Sequence, residues 1–432
     1  MFARLPRARR VAPAANIPCL ENDKFNPARK DLPMSKTTSN AIEYPQPKGE
    51  SLPEPQREKK PREKIILDER GMVDMPFLLL TVLLVVIGVI MMFSASYAAA
   101  YVDEGSSTAY FSRQGFFAVL GIGLMLFVSR LNYQMWRSLS IPILIGAAAV
   151  MLLTPLIGLT GGGAKRWIVL FGIRFQPSEV AKLAIIISYA ALISTAKDKI
   201  KTFRGLMPFL VIWLVFVGTL ILQTHLSGIV IITCIAAAML FMGGMQLRYF
   251  AIGLGAVGLL AFIYLNFMDY ASARITAWQD PWSDPSDAGY QIIQSLYAIG
   301  SGGLMGLGLG RSRQKYLYLP EMQNDYVFPI VCEELGFVGA MVIILLFMLL
   351  IIRGYWIAMH ARDRFGALMV GGITTLLALQ VFFNIGVVTN FLPATGISLP
   401  FFSYGGTALL MQLFEMGLIL SVSRQSNNQL LI

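Results

Sequence analysis

Residues 278–328 read WQDPWSDPSDAGYQIIQSLYAIGSGGLMGLGLGRSRQKYLYLPEMQNDYVF, a long polar stretch set between two apolar runs. It carries aspartates at Asp280, Asp284 and Asp287, cations at Arg311, Arg313 and Lys315, and seven glycines. Loops longer than about a dozen residues in a compact architecture are functional or disordered. This one has aromatics and an amphipathic middle (Ile292, Ile293, Leu296, Tyr297), so it reads as ordered and as the candidate active site.

What flanks the stretch decides the fold class. Hydrophobic residues make up 56% of the chain and charged ones 14%. Apolar runs occupy about 75–97, 111–129, 138–156, 177–195, 207–222, 228–245, 249–268, 326–352, 366–391 and 402–423. A helix needs roughly 20 apolar residues to cross about 30 Å of hydrocarbon. The expectation is an all-α polytopic membrane protein of about ten spans, with the large ordered loop between the seventh and eighth. Alternating ten-residue segments, the mark of a β-barrel, are absent. Of the three cysteines, Cys234 and Cys332 lie in apolar runs, Cys19 does not, and none has metal or disulfide spacing.

Ahead of the first span, residues 1–70 are rich in Pro, Lys, Arg and Glu and poor in aromatics. Such a segment cannot bury enough apolar surface to offset its ordering entropy, so a disordered basic cytoplasmic tail is expected. Its cluster Arg4, Arg7, Arg9 and Arg10 is either solvated or touches anionic lipid. The membrane domain is expected over 71–424, followed by a short cytoplasmic tail at 425–432.

Lysine and arginine bias in short loops orients a membrane protein. Arg130, Arg137, Lys197, Lys199, Lys201, Arg204, Arg248, Arg353, Arg362, Arg364 and Arg424 fall on one side. That side is the cytoplasm, both termini lie there, and the 278–328 loop faces outward. Two outward segments break the bias: the loop itself, and 160–176 with Lys165, Arg166 and Arg174. Those cations either pair with Asp280, Asp287 or Glu321, or they hold an anionic ligand such as a phosphate.

Single polar residues along the spans add detail. Pro177 suits the first position of the fourth helix, and Glu179 and Lys182, three apart, share a face as an ion pair or as part of a substrate groove. His225 sits in the turn after the fifth span, able to titrate near neutrality but with no second histidine nearby, so a turn residue is expected. Glu333 and Glu334 lie near the outer end of the eighth span and Glu415 deep in the tenth, the last read as structural glue. Gln380 and Asn384 are placed to hydrogen-bond across helices. Pro400 with Gly405 and Gly406 marks a bent entry into the final helix.

With these residues in view, the chain from about Met72 to Arg424 resembles the SEDS family of bacterial cell-wall proteins, which groups FtsW, RodA and SpoVE. The similarity rests on KRWI at 165–168, RFQPSEVAK at 174–182, PWSDPSDAGYQIIQSLYAIGSGGLMGLGLG at 281–310, SRQKYLYLPEMQNDYVF at 312–328, EELGFVG at 333–339 and TGISLPFFSYGG at 395–406. The QK before YLPE and the long basic tail look more like FtsW or SpoVE than RodA.

The resemblance implies a peptidoglycan glycosyltransferase that polymerises lipid II with inversion, releasing undecaprenyl pyrophosphate, during cell division. The family's essential aspartate falls on Asp284. The implied substrate-binding residues are Arg166, Trp167, Arg174, Glu179, Lys182, Lys315, Glu321 and Asp325. A divalent cation, magnesium or manganese, is an expected aid to the diphosphate. The implied partners are a class B penicillin-binding protein transpeptidase and other division proteins, with no nucleic acid, and the implied place is the bacterial inner membrane at the septum. A lipid II flippase and a non-catalytic scaffold for the transpeptidase are the rival functions. Two departures stand out. Gln223-Thr224-His225 replaces the family's Q-P-D, and Ser286-Asp287-Ala288 stands where glycine is usual, with Asp287 placed to raise the pKa of Asp284 or help hold a metal.

Overall fold

The computed structural model describes residues 71–426 apart from 162, 163, 171, 268, 287 and 288. The expected tail at 1–70 with Cys19, most of the C-terminal tail, and Asp287 lie outside these residues.

The chain runs α1 (Met75–Glu104), α2 (Ala109–Val128), α3 (Gln134–Ser138), α4 (Ser140–Ile157), β1 (Leu159–Gly161), β2 (Ala164–Leu170), β3 (Ile173–Phe175), α5 (Pro177–Ala196), α6 (Phe203–Leu222) and α7 (Leu226–Met242). It continues through α8 (Leu247–Phe267), α9 (Asp269–Gln279), α10 (Tyr290–Ser301), α11 (Val327–Met359), α12 (Arg364–Val388) and α13 (Gly406–Arg424). Among the described residues eight helices are long and apolar enough to cross a membrane: α1, α2, α4, α5, α6, α11, α12 and α13. The shorter α7 and the apolar α8 complete the ten expected spans.

Helix starts follow local chemistry. Asp74 caps α1, its Oδ1 accepting the Phe77 N–H at 3.0 Å, and the same carboxylate takes Arg353 Nη2 at 2.7 Å. Asp363 caps α12 by accepting from Gly366 N at 3.2 Å, and also accepts from Tyr133 Oη at 2.6 Å. Pro177 opens α5, where its missing N–H is tolerated. Arg364 donates to the Gly243 carbonyl at 2.7 Å and Arg424 to that of Gly71 at 3.0 Å. The basic loop residues therefore tie helix ends together at the end of the bundle opposite the 278–328 loop.

The bundle has a centre and a rim. Buried positions make up 61%, 72% and 67% of the apolar windows of α5, α12 and α13, against 22–39% for the other five long helices. The first three are enclosed by protein, and the others turn most of their apolar surface outward, as a helix facing lipid must.

Two features were not foreseen. Residues 159–175, expected only as a cationic outer segment, form an antiparallel sheet in the order β1-β2-β3, with Leu159 opposite Trp167 and Val169 opposite Arg174. The second is a break in α11 at Gly336, whose φ of 70° lies in the left-handed region. Loop residues mend it: Leu307 and Gly308 N–H donate to the Glu333 and Glu334 carbonyls at 3.0 Å, and Phe337 N–H donates to Gly303 O at 2.9 Å. Gly306 and Gly336 must both lack a side chain, because a Cβ on either would overlap the other's backbone segment.

Candidate active site

The polar loop is built as a series of short, fastened turns. Asp280 caps a 3-10 turn at Pro281–Ser283, its Oδ1 accepting the Trp282 N–H at 3.1 Å. The chain then bends at Asp284, whose carbonyl accepts the Gly289 N–H at 3.0 Å. Glycine is required at 289, since a Cβ there would collide with the Pro281 and Asp284 carbonyl oxygens. The Asp284 carboxylate is exposed, and Ser286 Oγ donates to its Oδ1 at 3.3 Å. No cation pairs with it among the described residues.

Bonds from behind hold this turn in place. Trp278 Nε1 donates to Asn390 O at 3.1 Å, and Asn390 Nδ2 returns a bond to Trp278 O at 3.3 Å. Arg274 donates to Ala394 O at 2.7 Å, and Ser295 Oγ to Val388 O at 2.7 Å. Further along, Tyr404 N–H donates to Gln323 O at 2.7 Å. Asn384 Nδ2 is shared between the carbonyls of Asp325 and Ile397, both at 2.8 Å. The loop and the 389–405 segment thus form one cover over the same end of the bundle. Asn384 reaches loop backbone, where a bond to a neighbouring helix was expected.

A buried polar anchor supports the far side of the loop. Glu333 accepts from Ser312 Oγ, from Arg313 N at 2.9 Å and from Gln314 N at 3.3 Å. Glu334 accepts from Ser94 Oγ at 2.8 and 2.7 Å, from Ser312 N at 3.3 Å and from Lys315 Nζ at 3.1 Å. Lys315 is expected above to bind substrate, yet its side chain is 3% exposed and its ammonium is held by Glu334, itself fully buried. A cation enclosed this way has no face to offer a ligand, so Lys315 is part of the anchor. Ser94 carried no signal in the sequence, because a serine in an apolar helix is ordinary.

The other expected residues lie around the sheet, the start of α5 and the loop before α11. Arg174 is exposed on β3, and its carbonyl accepts Thr407 Oγ1 at 3.0 Å, fastening the sheet to the start of α13. Trp167 is half-buried on β2. Lys182 bonds Glu179 at 2.8 Å on the buried face of α5, the local ion pair that the three-residue spacing allowed. Arg166, half-buried, has an enclosed Nε without a hydrogen-bond partner. Glu321 is exposed with φ at 51° and accepts from Asn324 Nδ2.

Asp325 and His225 connect these elements electrostatically. Burial, reinforced by the Glu321 charge and opposed by Arg166 and Arg274, pushes the Asp325 carboxyl up to about 6. Burial first, then the charges of Arg166 and Lys182, push the His225 imidazole down to about 3. His225 is therefore neutral near pH 7, which fits the turn residue expected over a titrating one. It occupies the turn, as the residue preceding α7, with its Nδ1 against Gly228. Arg166, from a strand, and Lys182, from a helix, thus act on one point, and Arg166 and Arg274 on another.

The expected divalent cation meets a poor donor set. Among the described residues no three His, Cys, Asp or Glu side chains are grouped to hold a metal ion, and Asp280 is committed to its cap. Around the sheet, the positive charge open to an anionic ligand comes from Arg166, Arg174 and the exposed Lys165. Lys182, enclosed and paired with Glu179, is taken in the same way as Lys315.

Comparison with known proteins follows the same boundaries. Residues 75–428 match the family FTSW_RODA_SPOVE, described as "Cell cycle protein". A Geobacter sulfurreducens protein named "Probable peptidoglycan glycosyltransferase FtsW" is 41% identical over 354 residues, covering 81% of this chain and 95% of that one. The Bacillus subtilis "Stage V sporulation protein E" is 43% identical over 361 residues, covering 82% and 97%. Among solved structures, one from a study titled "Structural coordination of polymerization and crosslinking by a peptidoglycan synthase complex" superposes with a TM-score of 0.70 at 27% identity, covering 82% of this chain and 99% of that one. The Thermus thermophilus rod shape determining protein RodA superposes at 0.62 with 26% identity, covering 82% and 98%.

Proposed function

This chain belongs to the FtsW, RodA and SpoVE family, and from that premise we propose how it works as a peptidoglycan glycosyltransferase. The substrate is lipid II, a disaccharide peptide on undecaprenyl pyrophosphate, and the product is a glycan strand. Asp284 takes the proton of the acceptor sugar hydroxyl as its oxygen attacks the donor's anomeric carbon. The bond from that carbon to the diphosphate oxygen breaks, the diphosphate leaves with the electron pair, and the configuration inverts.

One observation carries this reading: Asp284 presents an exposed carboxylate, unpaired with any cation among the described residues, on a turn closed by Gly289 and fastened from behind through Trp278. A sugar hydroxyl is a poor nucleophile, so a carboxylate within hydrogen-bond reach must accept its proton during attack. A diphosphate leaving group needs charge neutralisation more than it needs a proton. Arg174, exposed, and Arg166, with its unpartnered Nε, supply that charge. Lys182, enclosed and tied to Glu179, sets the local charge without touching the ligand, and Trp167, Glu321 and Asp325 are the remaining residues assigned to the substrate. This arrangement differs from glycoside hydrolysis, in which two carboxylates share the work.

The loop faces out of the cell and both termini lie in the cytoplasm, because the helix ends fastened by Arg353, Arg364 and Arg424 carry the positive bias. The place is the inner membrane at the division septum. The partner is a class B penicillin-binding transpeptidase, a reading supported by the likeness to a chain from a synthase complex. A topology reporter placed after Asn324 should read as extracytoplasmic and one after Lys199 as cytoplasmic. The deciding assay gives purified protein labelled lipid II and reads polymer on a gel. Lipid translocation without polymer would establish a flippase, and polymer only from an added partner would establish a scaffold.

A further inference from the structure

Two polar layers mark the depth of the bilayer on this molecule. In the first, Arg353 bonds Asp74 at the start of α1. In the second, Ser94, twenty residues further along the chain, meets Glu334 and Lys315. At 1.5 Å of rise per residue, about 30 Å separates the two layers, the thickness of a hydrocarbon core. The exposed stripe of α1 between them is aliphatic: Leu79, Leu83, Val86 and Ile90. Beyond Ser94 the same stripe continues as Tyr97 and Tyr101. Tyrosine replaces aliphatic side chains where a helix enters the headgroup region. The last ten residues of this 30-residue helix therefore stand at headgroup level, on the side of the Asp284 loop.

A groove opens at that level. Tyr97, Ala98, Tyr101, Val102 and Ser107 form one wall, Tyr316 and Leu317 the other, and the open space between them is about 400 Å³. Tyr316 also lines an adjoining space of about 520 Å³ with Arg313, Gln314 and Tyr318. The Arg313 backbone N–H is pinned to Glu333, while its guanidinium is exposed and engages no acid among the described residues. The acids that follow Val102 on the opposite wall are engaged: Asp103 accepts from Tyr110 Oη at 2.7 Å, and Glu104 pairs with Arg113 at 2.6 Å. An apolar trough thus adjoins a cation with no acidic partner, across one tyrosine ring.

We propose that this double groove binds an anionic phospholipid of the surrounding bilayer. The phosphate sits against Arg313, the glycerol-ester region lies over Tyr97, Tyr101, Val102 and Leu317, and the acyl chains descend along the aliphatic stripe of Ile90 and Val86. The volume falls within the range of small-molecule sites, about 300–1,000 Å³. Depth argues for a lipid over a soluble ligand, and the unmatched Arg313 argues for a net negative headgroup over a zwitterionic one. The segment 316–318 joins the Glu333–Glu334 anchor to the stretch ending at Asp325, so a bound lipid braces the cover of the active site without entering it.

The test uses the full-length chain, stripped in detergent and moved into nanodiscs of phosphatidylcholine alone or of equal parts phosphatidylcholine and phosphatidylglycerol. Lipid retained on release is counted by native mass spectrometry. Wild type should retain phosphatidylglycerol in preference to phosphatidylcholine. Arg313→Gln should cut that preference about fivefold, the equivalent of one arginine's attraction to an anionic surface, about 1 kcal/mol. Leu317→Ser should lower retention of both lipids. Arg313→Gln should still polymerise saturating lipid II in detergent, which separates this site from the glycosyltransferase reading. Equal retention of the two lipids by wild type, or an unchanged preference in Arg313→Gln, would overturn the proposal. So would displacement of the retained phosphatidylglycerol by one equivalent of undecaprenyl phosphate, since the groove would then belong to the polyprenyl substrate.

Discussion

Glu334 and Asp284 are carboxylates at the same end of the protein, and they are held in opposite ways. Glu334 is fully buried and accepts from a serine hydroxyl on α1 and from a backbone N–H and a lysine ammonium of the 312–315 segment. Asp284 is exposed and accepts from one neighbouring serine at 3.3 Å. Every lone pair of a buried charge must be satisfied or the charge destabilises the fold, so Glu334 has little capacity left for chemistry. Asp284 keeps its capacity because the surrounding turn is closed by backbone atoms, through Gly289 and the Asp280 cap, leaving its own carboxylate out of the structure. Full satisfaction marks a structural charge, and a rigid backbone under an unsatisfied one suits the general base proposed at Asp284.

The sharpest way to break this contrast is to neutralise both members. Asp284→Asn keeps shape and volume, so the protein should insert and melt as wild type while polymerisation falls by about 10² to 10⁴, the usual contribution of a general base. Near wild-type polymer on the gel would end its role as the base. Lys315→Met is the counterpart. It leaves Glu334 buried without its cation, which costs about 3–5 kcal/mol in such pairs, and a thermal melt in detergent should show a lowered midpoint. The double variant Lys315→Met, Glu334→Gln should recover much of that loss, because neither charge is left alone.

Smaller effects sharpen the same line. Arg174→Ala removes an exposed cation whose structural contact runs through its carbonyl, so stability should hold while the KM for lipid II rises about tenfold, near 1.4 kcal/mol. Unchanged lipid II kinetics would make Arg174 a sheet residue only. Asp325 lies between the two extremes, half-buried and pushed up to about 6. Its unfolded value is about 3.9, so between about pH 4 and 6 the folded state holds the extra proton. Stability should therefore decline as pH rises through that window and level off above it. Asp325→Asn should flatten the decline, measured as the melting midpoint across pH. A wild-type midpoint that rises through the window would refute the burial of this group.

The sequence by itself determined the membrane class, the ten apolar helices and the start of α5 at Pro177, and its resemblance to the family singled out Asp284 as the proposed base. Each depends on local quantities: run length against bilayer thickness, the conformational limits of proline and glycine, and a motif within one loop. The three-stranded sheet stayed hidden because strands of 3, 7 and 3 residues are too short to show an alternating pattern. Only the tertiary structure decided which charges are spoken for. In sequence Lys315 and Arg313 are near-identical cations two residues apart, yet one is enclosed against Glu334 and Ser94 and the other faces outward. Likewise Arg166, Lys182 and His225 come from separate segments, and burial first, then the charges of those two cations, hold the histidine neutral. A charge's role depends on what lies within a few ångströms of it and on how much water it keeps, and in a helical bundle both are set by segments hundreds of residues apart.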